Sequence, residues 1–208
     1  IIGDVDLGNG DNDIDLYYSS IAGNVTAGSG DDDLYMYESS IIGDVDLGNG
    51  TNDIDLDYST ITGNVTAGIG DDDLDMYESS ITGNVDLGGG ANYIEMDYSS
   101  ITGNVTAGSG DDDLDMFESS ITGNVDLGEG ANYIDMTDST ITGDIIVGGG
   151  DDILIIDPSL IDGSVYLGNG YNQLSLIDST ITGDVTGGTG VDDVYLDNSS
   201  IGGNVSLG

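Results

Sequence analysis

Apolar residues along this chain alternate with polar ones in short bursts separated by glycine. Val5 and Leu7 flank Asp6, and Ile14 and Leu16 flank Asp15; the same spacing returns at Val25 and Ala27, then at Leu34 and Met36. Alternation of period two puts the apolar set on one face of a half-buried strand, whereas a helix needs a period near 3.6. The pattern recurs every 20 residues without a gap, giving ten units (1–20 to 181–200) and the start of an eleventh at 201–208. The shared form is I-x-G-[DN]-V-x-x-G-x-G-x-[DN]-x-[IL]-x-[LM]-x-x-S-[ST]. Glycine holds the third place from Gly3 to Gly203, the eighth from Gly8 to Gly208 and the tenth from Gly10 to Gly190.

Strand, glycine turn, strand and serine corner at fixed length predict an all-β fold. It is a parallel β-solenoid (β-helix or β-roll type) of ten 20-residue coils plus a partial eleventh. Strands pair at about 4.8 Å, so the stack makes a rod on the order of 50 Å long. Each coil buries only Ile1, Val5, Leu7, Ile14 and Leu16 or their equivalents, so the core exists as columns running up the stack. Residues 1–208 read as one elongated domain, a segment or protomer of a longer fibre, since the chain begins at Ile1 and neither end carries a recognisable cap. Uncapped parallel strands invite pairing with further copies, end to end, or with flanking sequence. From 141 the repeat drifts apolar: Ile146, Ile153, Ile155 and Ile156 fall at places that read as outward earlier, which predicts a lateral contact surface or a locally thicker core.

Charge sharpens the picture. The chain carries 41 acidic residues and no Lys, Arg or His, a formal charge of −41. An electrostatic grip on nucleic acid or an anionic membrane is excluded, because both need cationic side chains. No apolar run is long enough to span a bilayer. Absence of cysteine removes disulfides and thiolate metal sites.

A second period of 40 residues overlies the first: position seven alternates Leu7, Ala27, Leu47, Ala67, and position twelve alternates Asn12, Asp32, Asn52, Asp72 through to Asp192. Spacing like charges apart, with Asp and Asn serving as turn formers, accounts for part of this. It does not account for acid concentrated in even coils, at Asp31, Asp32, Asp33, at Asp71, Asp72, Asp73, at Asp111, Asp112, Asp113 and at Asp151, Asp152. A hard divalent cation does, because calcium takes six to eight oxygens from carboxylates and carbonyls. The turns at Gly28 and Gly30, Gly68 and Gly70, and Gly108 and Gly110 bare such carbonyls.

The stretch GSGDDDLY at 28–35 resembles the calcium-binding nonapeptide of the repeats-in-toxin family, G-G-x-G-x-D-x-U-x with U apolar. In that alignment Asp32, Asp72, Asp112, Asp152 and Asp192 take the ligand place, and Leu34, Leu74, Leu114, Leu154 and Val194 the buried one. The longer pattern is similar to the 19-residue coil of calcium-dependent bacterial solenoids, with one extra residue in the Tyr17-Tyr18-Ser19-Ser20 corner. The first glycine of the nonapeptide is Leu or Ala in most coils, and the ligand place is Asn in odd coils, Asn12 and Asn52 among them, where weaker or absent sites are expected. The resemblance implies several Ca2+ per chain, a microbial extracellular or cell-surface location, and a structural role as adhesin stalk, matrix fibre or surface filament.

Catalysis is not expected. Without His, Cys or Lys there is no nucleophile–base pair, and every Asp pair is copied up the ladder instead of standing alone in a cleft. The rival expectation is recognition of ice or carbohydrate. Hydroxyls flank an inward Ile at Thr60-Ile61-Thr62, Thr140-Ile141-Thr142 and Thr180-Ile181-Thr182, with Ser–Ile–Thr in other coils. An aromatic row at Tyr18, Tyr37, Tyr58, Tyr77, Tyr98 and Phe117 switches between two neighbouring places on successive coils; it reads as a stabilising ladder first and as an interaction surface second. Drift at places nine, eleven and fifteen favours a spacer over a recognition face. Self-association, end to end or lateral, is the expected partnership.

Overall fold

The computed structural model describes residues 1–208 and contains strands and turns but no helix. Each coil has three strands, which stack on their equivalents into three parallel sheets of eleven, ten and ten strands. The first sheet starts at Val5–Asp6, the second at Asp13–Tyr17 and the third at Ser20–Ile21. Pairing is in register at a step of 20 residues, as in Asp53↔Asp73↔Tyr93 and Ile54↔Leu74↔Ile94. The only irregular pairing lies between Tyr166 and Gly170, opposite Gly187, where Gly stands at the seventh place that other coils fill with Leu, Ala or Val.

The pattern predicted two strands per coil, and the third is the difference. Ser20–Ile21 and its equivalents are too short to show alternation, yet their isoleucines form a column of their own in the core. Forty-two buried apolar residues make one continuous cluster. Its columns are Ile21–Ile41–Ile61, Val25–Val45–Val65, Leu34–Ile54–Leu74 and Met36–Leu56–Met76, continued up the stack. Ile156 belongs to this set, fully buried between Met136 and Leu176, so its expected outward placement is corrected. Ile146, Ile153 and Ile155 stay on outer faces, and the pairing Tyr133↔Ile153 through Thr137↔Asp157 keeps its register, so the core is not thickened there.

Glycines set how closely the turns stack. Gly48 and Gly50 have φ of +80° and +139°. A Cβ on either would overlap the carbonyl oxygen of Gly28 or Gly30 one coil below. This clearance lets successive turns lie at strand spacing and aims their carbonyls inward.

Candidate metal centre

Side chains at place twelve share the parity of the buried places fourteen and sixteen, so they point inward from the turn. Asp32, Asp72, Asp112 and Asp152 are 1, 2, 1 and 0 % exposed, and Asn52, Asn92, Asn132 and Asn172 are buried with them. Together they form a polar ladder with a fixed sense. The backbone N–H of Asn52 donates to Asp72 Oδ1 at 2.9 Å, and its Nδ2 donates to the same oxygen at 2.8 Å. Asn92 treats Asp112 alike, at 2.9 Å for both bonds. The backbone N–H of each Asp in turn donates to the Oδ1 of the next Asn, as from Asp72 to Asn92 at 3.1 Å.

From Asp32 to Asn172 Oδ1 thus plays one role, accepting the backbone N–H of the rung before, and the other terminal atom distinguishes the coils. In odd coils it is an amide nitrogen among carbonyls. Asn52 Nδ2 donates to Gly48 O at 3.5 Å, Gly50 O at 3.1 Å and Ala67 O at 3.0 Å. Asn132 Nδ2 donates to Gly128 O, Gly130 O and Val147 O at 3.3, 3.4 and 2.9 Å. In even coils the same place holds a carboxylate oxygen, and Asp32, Asp72, Asp112, Asp152 and Asp192 Oδ2 are all shielded from solvent with no hydrogen-bond partner. By the repeat, Asp32 Oδ2 takes the place that Asn52 Nδ2 holds among Gly48 O, Gly50 O and Ala67 O, for which the equivalent carbonyls are those of Gly28, Gly30 and Leu47. An atom that can only accept thus stands in the place of a donor.

Burial raises the affinity of Asp72, Asp112 and Asp152 for a proton. Desolvation pushes Asp112 and Asp152 up to about 6, against the lowering pull of the Asn92 and Asn132 donors and with a further rise from Asp111 and Asp151. Asp72 is raised by the same cause. A positive group in the turn would cancel this cost, and the chain contains no basic side chain to supply one.

The structure separates the acid triplets. Asp31, Asp71, Asp111 and Asp151 are exposed, their Oδ1 atoms accepting the N–H of Thr51, Ala91, Ala131 and Tyr171 at 2.7–2.9 Å. Asp33, Asp73 and Asp113 lie on the outer face of the second sheet, next to Asp53 and Tyr93. No group of three or more acidic side chains is placed to hold a metal ion by itself. Each even turn thus offers one inward carboxylate and backbone oxygens. Asn12 and Asn52 are ladder donors. Gly68 O and Gly108 O already accept a backbone N–H, from Gly89 at 2.9 Å and Glu129 at 3.1 Å, and a carbonyl keeps a second lone pair. On the sheet face, Asp75 is also raised to about 6 by burial and by Asp73, Glu95 and Asp55, while Tyr93 OH can donate to Glu95 or Asp115 at 3.2 Å.

A second buried polar ladder escaped the reading of the sequence. Ser39, Ser59, Ser79, Ser99, Ser119, Ser139 and Ser179 are buried at the opposite corner. Ser99 Oγ accepts the N–H of Ser79 at 3.0 Å and donates to Met76 O at 3.0 Å or Asp97 O at 2.8 Å. The signal was present, since Ser fills the nineteenth place of every unit from Ser19 to Ser199. The serine ladder itself is neutral and has no unpartnered atom, unlike the ladder at place twelve. No family model, curated protein or solved structure matches the chain.

Proposed function

We propose that this chain is a non-catalytic structural rod whose even turns hold calcium outside the cell, in a stalk, matrix fibre or surface filament that associates with its own kind end to end or side by side. The observation that carries this reading is the set of five orphan Oδ2 atoms, at Asp32, Asp72, Asp112, Asp152 and Asp192, each in the place of an amide nitrogen. A cation there would meet one carboxylate and a group of carbonyls, an all-oxygen donor set that suits calcium better than zinc or copper. So few formal charges per ion make for modest affinity, which fits a compartment rich in calcium. The bound ion would supply the positive charge the chain lacks; the residues would fix its spacing at two coils.

Calcium titration of chelator-treated protein, followed by circular dichroism and calorimetry, tests the proposal. The expected result is a gain of β signal and melting temperature in the millimolar range, with up to one ion per even coil. A spectrum and melting point indifferent to calcium would overturn it.

One observation favours a second reading, recognition of ice. Coils three to seven keep a hydroxyl at both outward places of the third sheet, from Thr60 and Thr62 to Thr140 and Thr142, and Thr62, Thr82, Thr102, Thr122 and Thr142 are all exposed. Ile42 and Leu160 interrupt the array on either side. Measurable thermal hysteresis, abolished by Thr102→Tyr, would favour this reading over the spacer.

A further inference from the structure

The corner after the second sheet carries a feature that a calcium-bound spacer does not need. Residues at place eighteen adopt φ of 45–53° in nine coils, the left-handed region that glycine, asparagine and aspartate tolerate best. In the later coils the residues suit it, as Asp138, Asp178 and Asn198. In coils one to six they do not: Tyr18, Glu38, Tyr58, Glu78, Tyr98 and Glu118 hold the same conformation. Strain retained at a run of sites points to a use for the side chains.

Those coils are also the ones with the aromatic row. Tyr18, Tyr37, Tyr58, Tyr77, Tyr98 and Phe117 meet edge to face, with successive ring centroids 5.3–6.1 Å apart. Tyr18, Tyr58, Tyr77 and Tyr98 remain 70, 45, 38 and 46 % exposed. Where a ring takes place seventeen, a glutamate takes place eighteen; where the ring takes eighteen, Asp57 or Asp97 takes seventeen. Two zigzags interleave, one aromatic and one acidic, so each of coils two to six offers one ring beside one carboxylate.

We propose that this stripe is a docking surface for an extended cationic polypeptide with Arg or Lys at every third residue. Ring plus carboxylate is the pairing that binds a guanidinium or ammonium from two sides, by cation–π attraction and by charge. The partner must be cationic, because the chain carries −41 and has no basic side chain of its own to pair with these acids. Spacing selects its conformation. The pattern repeats every two coils, about 9.6 Å, and three residues of a polyproline II helix advance about 9.3 Å on one face. Alternate residues of a β-strand, at about 6.7 Å, match neither one coil nor two. The surface stands apart from the turn carboxylates and does not rest on calcium being held there.

The test is fluorescence anisotropy of labelled peptides with the full chain in calcium buffer. A Pro-Pro-Arg repeat peptide is expected to bind, and a peptide of equal charge with Arg at every second residue to bind at least about threefold more weakly. Combined Tyr58→Asn, Tyr77→Ser and Tyr98→Asn, which leaves the net charge unchanged and suits the corner backbone, should weaken binding about tenfold or more. Glu38→Gln with Glu78→Gln and Glu118→Gln keeps every ring and should also weaken binding; it decides the matter if the tyrosine variant does not fold. Affinity unmoved in the folded variants would mean attraction by bulk charge alone and would overturn the proposal. So would no binding of the Arg peptide, or tyrosine-dependent binding of neutral oligosaccharides in its place.

Discussion

Replacing Asp112 by Asn converts an even rung of the turn ladder into an odd one. Asp112 Oδ1 already accepts from Asn92 N and Nδ2, at 2.9 Å each, and an amide oxygen keeps both bonds. The new amide nitrogen would fall where Oδ2 now lacks a partner, facing carbonyls as Asn52 Nδ2 faces Gly48, Gly50 and Ala67. A rise from 3.8 to about 6 corresponds to roughly 3 kcal/mol at neutral pH as a ceiling; screening by water at the turn brings it to about 1–3 kcal/mol. In chelator, Asp112→Asn should therefore be more stable than the parent by about 1–3 kcal/mol, or about 2–10 °C in melting temperature for a chain this long. In calcium the order should narrow or reverse, because one ion is lost. Changing Asp32, Asp72, Asp112, Asp152 and Asp192 together should give a protein that folds in chelator and ignores calcium. Urea melts with and without chelator, beside calorimetric counting of ions, measure both arms. A less stable Asp112→Asn in chelator, or an undiminished calcium response in the fivefold variant, would refute the reasoning.

Two further outcomes follow from the same geometry. Folded-state values of about 6 for Asp112 and Asp152, against 3.8 ordinarily, mean their contribution is full at low pH and lost as pH rises through about 6. The calcium-free chain should thus melt higher near pH 5 than near pH 7.5, with the difference reduced in the fivefold Asn variant; a higher melt at the upper pH would contradict it. The serine corner should behave in the opposite sense to the aspartate turn: Ser99→Ala strips the Ser79 N–H of its acceptor and should cost about 1–3 kcal/mol in chelator and calcium alike, read from chemical denaturation.

Much of this architecture is legible in the sequence because the repeat has no gaps. A step of 20 fixes the register, and alternation fixes which residues face in; Leu34 and Met36 stand buried where the pattern puts them. Parity also holds the key to the acid triplets, since Asp32 shares it with Leu34 whereas Asp31 and Asp33 do not. Neighbours along the chain therefore point to different faces, and a triplet does not form one ligand set. Three features lie beyond pattern. The third strand is two residues long and has no period to detect. The buried serine column has no apolar signature, its only mark being invariance from Ser19 to Ser199. The left-handed corner is occupied by Tyr and Glu, which no local preference would place there.

The alternation at place twelve bears most directly on why the ladder takes this form. A column of Asn alone would satisfy itself, each amide nitrogen donating to carbonyls and to the next rung, with no orphan atom and no ion. Such a column would be more stable in plain water than the one present. A column of Asp alone would set carboxylates about 4.8 Å apart, each lacking the Asn donor that now holds its Oδ1. The mixed ladder does neither: Asn at one rung holds Oδ1 of the next Asp in place and leaves its Oδ2 without a partner. Stability alone gives no reason to keep five such oxygens at every second coil. A positively charged guest would, because it would turn an unpartnered atom of each even coil into a ligand and would make folding conditional on the surroundings.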